Sequence, residues 1–61
     1  MDNDFVLEYY DEEEKMRIQH HYWIKNGRFY RRVTTEKGSA GRIRRISEAE
    51  YISALEERHN A

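Results

Sequence analysis

The sequence contains no cysteine and no long apolar run. Without cysteine there is neither a disulfide framework nor a cysteine-based zinc site, and such a composition fits a reducing, cytoplasmic setting. No apolar stretch approaches the roughly 20 residues that cross a bilayer, so no membrane contact is expected. The first residues, Met-Asp-Asn-Asp, lack the basic and apolar segments of a secretory signal. We therefore expect one small domain over residues 1–61, with residues 1–4 disordered.

Net charge is also nearly absent, since 11 basic and 12 acidic residues leave a net charge of −1. The signs are nevertheless segregated along the chain. Residues 1–14 contain seven acidic and no basic side chains, residues 15–46 contain ten basic and one acidic, and residues 47–61 contain four acidic and one basic. Such segregation indicates more about partners than the net charge does.

Two alternating segments joined by Asn26-Gly27 dominate the sequence. Side chains alternate in type from Met16 to Lys25 and again over residues 28–33, and this period of two is typical of strands. Asn-Gly is the strongest short signal for a two-residue hairpin turn. The predicted register pairs Trp23 with Tyr30, Ile24 with Phe29, Tyr22 with Arg31, and Lys25 with Arg28.

This register sorts the hairpin side chains onto two faces. The first face is apolar and needs a core, and it carries Met16, Ile18, Tyr22, Ile24, Phe29 and Val33. The second face is cationic and aromatic, and it carries Arg17, His21, Trp23, Lys25, Arg28, Tyr30 and Arg32. Because basic side chains and aromatic rings share the second face, this face is expected to bind a partner.

The segments around the hairpin complete a small sheet. Residues 5–10 predict a first strand. Residues 11–15 predict an acidic turn, and a helix over residues 11–20 is the rival interpretation because several of those residues are good helix formers. Residues 34–41 predict a flexible loop, and residues 42–46 predict a short last strand. In that strand Ile43 is expected to point into the core, and Ile46, which has the opposite parity, marks an end or a bulge.

A helix is predicted from Ser47 onward. Ser47 and Glu50 have the spacing of a capping box, and Ile46 and Tyr51 have the spacing of a hydrophobic staple. Its narrow apolar stripe consists of Tyr51, Ile52 and Leu55, with Ala54 beside it. An isolated helix this short is marginal in water, so the stripe must dock on the apolar face of the sheet. The expected fold is an α+β antiparallel meander of three to four strands with one C-terminal helix packed on one face.

The cationic aromatic face is the candidate binding surface. Because strands lie about 4.8 Å apart, the basic side chains of this face crowd around two aromatic rings. A bound anion would relieve the repulsion between these positive charges. Phosphates supply such an anion, nucleobases stack on tryptophan and tyrosine, and arginine serves both roles. The leading hypothesis is a non-enzymatic protein that binds nucleic acid, DNA or RNA. The predicted contact residues are Trp23, Lys25, Arg28, Tyr30, Arg32, Arg42 and Arg44.

Other interpretations of this face stay open. Its Arg and Lys stems can simply cover the rings on a solvated sheet, or the acidic N-terminal segment can neutralise it. The face can also bind an acidic protein surface, because Trp, Tyr and Arg are enriched at interface hot spots. The chain is then a protein–protein interaction module, such as a phage- or mobile-element-type accessory protein or an inhibitor of a host protein. A homodimer through an open sheet edge is compatible with either function.

Nothing in the sequence indicates catalysis, a metal or a cofactor. His20 and His21 are adjacent on a strand, so their side chains point to opposite faces and cannot chelate one ion together. His59 lies near the end of the chain, without carboxylates spaced to complete a site. Residues 38–41 lack the Gly-Lys-Ser/Thr ending of a phosphate-binding loop. We therefore expect no enzymatic activity, no metal and no cofactor.

Overall fold

Four strands and one helix follow one another in the computed structural model, which describes residues 4–60. The elements are β1 (Phe5–Asp11), β2 (Met16–Lys25), β3 (Arg28–Thr35), β4 (Arg44–Ile46) and the helix α1 (Glu48–Asn60). The strands form one antiparallel sheet in the order β1-β2-β3-β4. The predicted α+β meander with one C-terminal helix is therefore confirmed. The predicted disorder of residues 1–4 falls mostly outside the described residues.

The turn between β2 and β3 has the predicted two-residue form. Asn26 and Gly27 both adopt a positive φ, 53° and 73°, which is the conformation of a type I′ turn. The observed pairs are Trp23–Tyr30, Ile24–Phe29, Tyr22–Arg31 and Lys25–Arg28. The predicted register is confirmed, and β3 continues beyond the predicted segment to Thr35.

Replacing Gly27 with alanine should lower the free energy of unfolding by about 1–2 kcal/mol, because a side chain in the left-handed region is strained. Apart from its chain neighbours, no heavy atom lies within 4 Å of the position that a Cβ would take, so the backbone angle alone causes the loss. Urea unfolding measures the change. Gly27→Asn is the control and should lose clearly less, since asparagine tolerates this conformation. Equal stability of the alanine variant and the parent would contradict the turn geometry.

An acidic turn joins β1 to β2, as the preferred interpretation predicted. The Asp11 Oδ1 atom accepts hydrogen bonds from the backbone N–H groups of Glu13 and Glu14, at 2.9 and 3.1 Å. Lys15 ends the turn with a φ of 54°. The rival helix over residues 11–20 is wrong, because Met16 already pairs with Asp11 across the sheet.

The core lies between α1 and the sheet face that carries Tyr22. The Tyr51 ring lies 5.4 Å from the Phe5 ring and 5.1 Å from the Phe29 ring, centroid to centroid. Tyr51 therefore joins the helix to both β1 and β3. The buried residues are Phe5, Leu7, Tyr22, Ile46, Tyr51 and Ala54, and Tyr9, Ile24, Phe29 and Leu55 pack against them. The predicted apolar face also carries three half-buried residues that lie outside this cluster, namely Met16, Ile18 and Val33.

The helix begins at the predicted cap. The Ser47 hydroxyl accepts a hydrogen bond from the backbone N–H of Glu50 at 3.1 Å, which satisfies one of the free donors at the helix start. Ile46 and Tyr51, on either side of the cap, are both buried, as a hydrophobic staple requires. The cap therefore fixes where the chain leaves β4 and crosses the sheet.

The apolar stripe of the helix differs from the prediction at Ile52. Ile52 is 45% exposed, whereas Ala54 is buried. The positions that face the sheet are 51, 54, 55 and 58, which have the spacing of one helix face. At the last of them the Arg58 guanidinium lies 5.5 Å from the centre of the Phe5 ring. Burial of Tyr51 sets this rotation and turns Ile52 towards the solvent.

The last strand is shorter than predicted, and its side chains have the opposite orientation. It spans Arg44–Ile46, and Ile46 pairs with Phe29. Ile46 is 9% exposed and Ile43 is 57% exposed, so the prediction that Ile43 points into the core is wrong. The helix start is the reason, because burial of Ile46 beside the cap leaves Ile43, of opposite parity, on the other face.

Candidate functional site

The sheet face opposite α1 is named the open face here. Its side chains alternate along each strand with those that line the core. They are Val6, Glu8 and Tyr10 of β1, Arg17, Gln19, His21, Trp23 and Lys25 of β2, Arg28, Tyr30, Arg32 and Thr34 of β3, and Arg45 of β4. Five of the predicted contact residues therefore share this face, namely Trp23, Lys25, Arg28, Tyr30 and Arg32.

Trp23 and Tyr30 form a stacked pair on the open face, near the hairpin turn. Their ring centroids are 5.8 Å apart and their planes meet at 22°. Both side chains are half-buried, so part of each ring stays accessible. Accessible aromatic faces of this kind can stack with a flat ligand such as a nucleobase.

Arg45, rather than the predicted Arg44, belongs to the open face. Arg45 pairs with Tyr30, and Arg44 pairs with Arg31. Paired residues point to the same side of a sheet, so Arg44 lies with Arg31 on the side that α1 covers, which is named the helix face. The prediction that Arg44 lies on the cationic face is therefore wrong, and the register that buries the end of β4 is the reason.

Arg42 is not placed by a strand register. It lies in the segment that connects β3 to β4 and is exposed. The prediction that the last strand begins at Arg42 is wrong, because the first paired residue is Arg44. Arg42 is therefore not assigned to the open face.

Three basic side chains surround the aromatic pair, and Lys25, Arg28 and Arg45 are named the basic cluster. All three are exposed, and Lys25 pairs directly with Arg28 across the hairpin. Within the described part of the chain, the ion pair under 4 Å joins Arg31 to Glu50 at 3.8 Å on the helix face. Among residues 4–60, no carboxylate therefore lies within 4 Å of the charged groups of the basic cluster. Like charges held opposite each other cost stability, so this cluster is favourable for an anion.

A groove of about 430 Å³ lies beside the aromatic pair. Val6 and Ile43, which are 48% and 57% exposed, contribute apolar walls together with Trp23. The connecting segment forms one side, because the Gly41 N–H donates to the Val33 carbonyl at 2.7 Å and holds the segment against β3. The other lining residues are Asp4, Phe5, His21, Tyr22, Arg32 and Thr34.

Arg32 is engaged within the protein at one of its donors. Its Nε donates to the Gly41 carbonyl at 3.0 Å, while the side chain stays exposed beside the groove. Further along the same face, the His21 Nε2 and Thr34 Oγ1 atoms are 3.2 Å apart. Arg32 therefore helps to position the connecting segment as well as adding positive charge to the open face.

The acidic turn lies at the other end of the sheet from the basic cluster. It follows Asp11, which pairs with Met16, and Lys25 stands at the far end of the ten-residue strand β2. At about 3.4 Å per residue the strand separates them by about 30 Å. Charges are screened over about 8 Å at physiological ionic strength. The acidic residues 11–14 therefore do not neutralise the basic cluster.

The helix face carries a separate group of titratable residues. The His20 and Tyr9 rings lie 4.8 Å apart, centroid to centroid. Burial lowers the pKa of His20 below its usual value, and the nearby Arg31 acts in the same direction. Burial and a hydrogen bond with Glu57 raise the pKa of Tyr9 to about 12. These groups lie between α1 and the sheet, away from the open face.

The two adjacent histidines lie on opposite faces of β2, as predicted. His20 pairs with Leu7 and His21 pairs with Val6. Among residues 4–60 there is no group of three His, Cys, Asp or Glu side chains that could hold a metal ion. In the same residues, no helix has the length and apolar character needed to cross a membrane.

Arg45 and Ile43 are residues of the site that the sequence patterns did not predict. The signal for both is the hydrophobic staple, because burial of Ile46 beside Ser47 fixes the parity of the last strand. Because side chains alternate along an extended chain, a buried Ile46 places Arg45 and Ile43 on the open face. The path of the connecting segment, which forms the groove, has no comparable signal.

Comparisons of the chain with models of protein families, with curated proteins and with solved structures find no match. No property of another protein is therefore carried over to this chain.

Proposed function

We propose that this chain is a non-enzymatic protein that binds nucleic acid through the open face. Trp23 and Tyr30 stack with bases, and the basic cluster contacts phosphates. The observation that carries the proposal is the basic cluster itself. Lys25 and Arg28 oppose each other in it, and no carboxylate of residues 4–60 lies within 4 Å of them. Phosphate groups at this position would offset the repulsion between them.

The contrast with the helix face supports this proposal. There Arg31 also opposes a like charge, Arg44, but the Glu50 carboxylate lies 3.8 Å from the Arg31 guanidinium. The chain thus provides a counter-charge where the helix covers the sheet. On the open face the same need is met from outside, and the adjoining rings favour a ligand that combines anionic and flat aromatic groups.

A titration followed by tryptophan emission tests the proposal, because Trp23 is the single tryptophan of the chain. Mixed-sequence DNA and RNA oligonucleotides should quench the emission at about 50 mM salt, with affinity falling steeply towards about 200 mM. Polyglutamate of matched charge is the control. No response to either nucleic acid at low salt would contradict the proposal, and an equal response to polyglutamate would replace it with an acidic protein partner.

The neighbouring residues Arg45 and Arg44 provide a matched pair of variants. Arg45→Gln should weaken binding and lower the slope of log affinity against log salt by about 0.7–0.9, the value of one phosphate contact. Arg44→Gln removes the same charge from the helix face and should leave the slope unchanged. Equal slopes for the two variants would contradict the assignment of the open face. Cytoplasmic localisation and homodimer formation stay predictions.

A further inference from the structure

We infer that the nucleic acid bound by the open face is a single strand rather than a duplex, an inference that rests on the proposed function. The observation that carries it is the unequal charge of the two sides of the face. On the β3–β4 side lie Arg28, Arg32 and Arg45. On the β1 side lies Glu8, and residues 4–11 contain no lysine or arginine.

The width of the sheet makes this asymmetry decisive. Four strands spaced by about 4.8 Å place β1 about 14 Å from β4, which is close to the ~12 Å width of the DNA major groove. A duplex that presented this groove to the open face would lay one phosphate backbone over β3 and β4. Its second backbone would lie over β1, where the Glu8 carboxylate repels it. A single strand has only one backbone and meets only the basic side.

The aromatic pair and the groove also suit unpaired bases. In a duplex both faces of every base are covered by its neighbours, so Trp23 and Tyr30 could not stack on them. An unpaired base can lie on these rings. The next base can enter the groove of about 430 Å³ between Val6 and Ile43.

Polar groups at the groove can meet the edge of such a base. Asp4 and His21 both line it. A carboxylate accepts hydrogen bonds from the amino groups of bases, and an imidazole can donate or accept. Phosphates on the basic cluster and bases directed towards β1 together give the strand a defined orientation on the sheet.

A comparison of single-stranded and duplex DNA tests this inference. One oligonucleotide sequence is measured alone and as its duplex, with matched phosphate concentration and salt, by the change in Trp23 emission and by the anisotropy of a labelled strand. The single strand should bind more tightly by about 5- to 150-fold, the range for one stacked base. Equal or tighter duplex binding would overturn the inference and leave the proposed function standing. Failure of both DNA forms and of single-stranded RNA of the same sequence to bind would overturn the proposed function as well.

A charge reversal on β1 tests the physical cause of the preference. Glu8→Lys removes the repulsion expected for a second backbone, so it should raise duplex affinity more than single-strand affinity and narrow the ratio between them. Glu56→Lys, on the exposed side of α1, makes the same change in net charge and should leave the ratio unaltered. A ratio that both variants change equally, or that neither changes, would overturn the role assigned to the acidic side of the open face.

Discussion

Replacing Tyr51 with alanine should remove a large part of the free energy of unfolding. Tyr51 is 3% exposed, and its ring lies within 5.1–6.4 Å of the Phe29, Phe5 and Tyr22 rings. Truncation of a buried aromatic side chain costs about 3–5 kcal/mol. A domain of this size has a free energy of unfolding of roughly 3–9 kcal/mol, at about 0.05–0.15 kcal/mol per residue. The substitution therefore removes a large part of the stability, and α1 loses its main contact with the sheet.

Thermal and urea unfolding followed by circular dichroism measure this effect. Tyr51→Phe keeps the ring and should lose no more than the roughly 0.5–1.5 kcal/mol of one hydrogen bond. Tyr10→Ala is the matched control on the sheet, because Tyr10 is 56% exposed and its loss should be small. A Tyr51→Ala variant with the parent's midpoint would show that the helix is not held by this residue.

Replacing Trp23 with alanine should weaken nucleic-acid binding by about 1–3 kcal/mol, which is the range measured for one base stacked on an aromatic side chain. In affinity this is about 5- to 150-fold. The variant should still fold, because Trp23 lies outside the buried cluster and its main partner is the stacked Tyr30 ring. Loss of that pair costs roughly 0.5–1.5 kcal/mol of stability beyond the area buried.

The measurement uses the anisotropy of a labelled oligonucleotide, since the variant has no tryptophan emission. Trp23→Phe retains a ring at the same place and should recover most of the affinity. Tyr10→Ala removes an exposed aromatic side chain from the far end of the open face and should leave binding as in the parent. A folded Trp23→Ala protein that binds as tightly as the parent would show that the aromatic pair is not the contact surface.

The hairpin and the helix start could be predicted from the sequence because each depends on local chemistry. Asn26 and Gly27 specify a turn of two residues, and a turn of fixed length determines every pair of the two strands that it joins. Ser47 likewise specifies a helix start, because its hydroxyl accepts a hydrogen bond from the backbone N–H of Glu50 within one turn. In both cases the residues that decide the structure are neighbours in the chain.

The parity of β4 was not predictable in the same way. The sequence does not define where the loop between β3 and β4 ends, so the alternation of side chains in β3 does not indicate which arginine of β4 faces outward. The structure shows that the decision comes from the other direction, because Ile46 must be buried where the helix begins. Assigning Ile43 to the core from its apolar character alone therefore exchanged the positions of Arg44 and Arg45.

The groove lies beyond what sequence patterns describe. It exists because residues between β3 and β4 turn back alongside β3, held by the bridge between Thr34 and Ala40 and by the hydrogen bond from Arg32 to Gly41. These contacts join residues that share no periodicity. The aromatic and basic character of the open face could be predicted, whereas its concave shape could not.

The shortness of β4 links the ligand surface to the folding of the helix. A slip of one residue in this strand would turn Ile46 to the solvent and exchange Arg44 with Arg45 on the open face. A ligand that holds Arg45 outward therefore favours the same register that buries Ile46. By mass action such a ligand also raises the melting temperature, and the helix would gain protection from hydrogen exchange although it lies on the far side of the sheet.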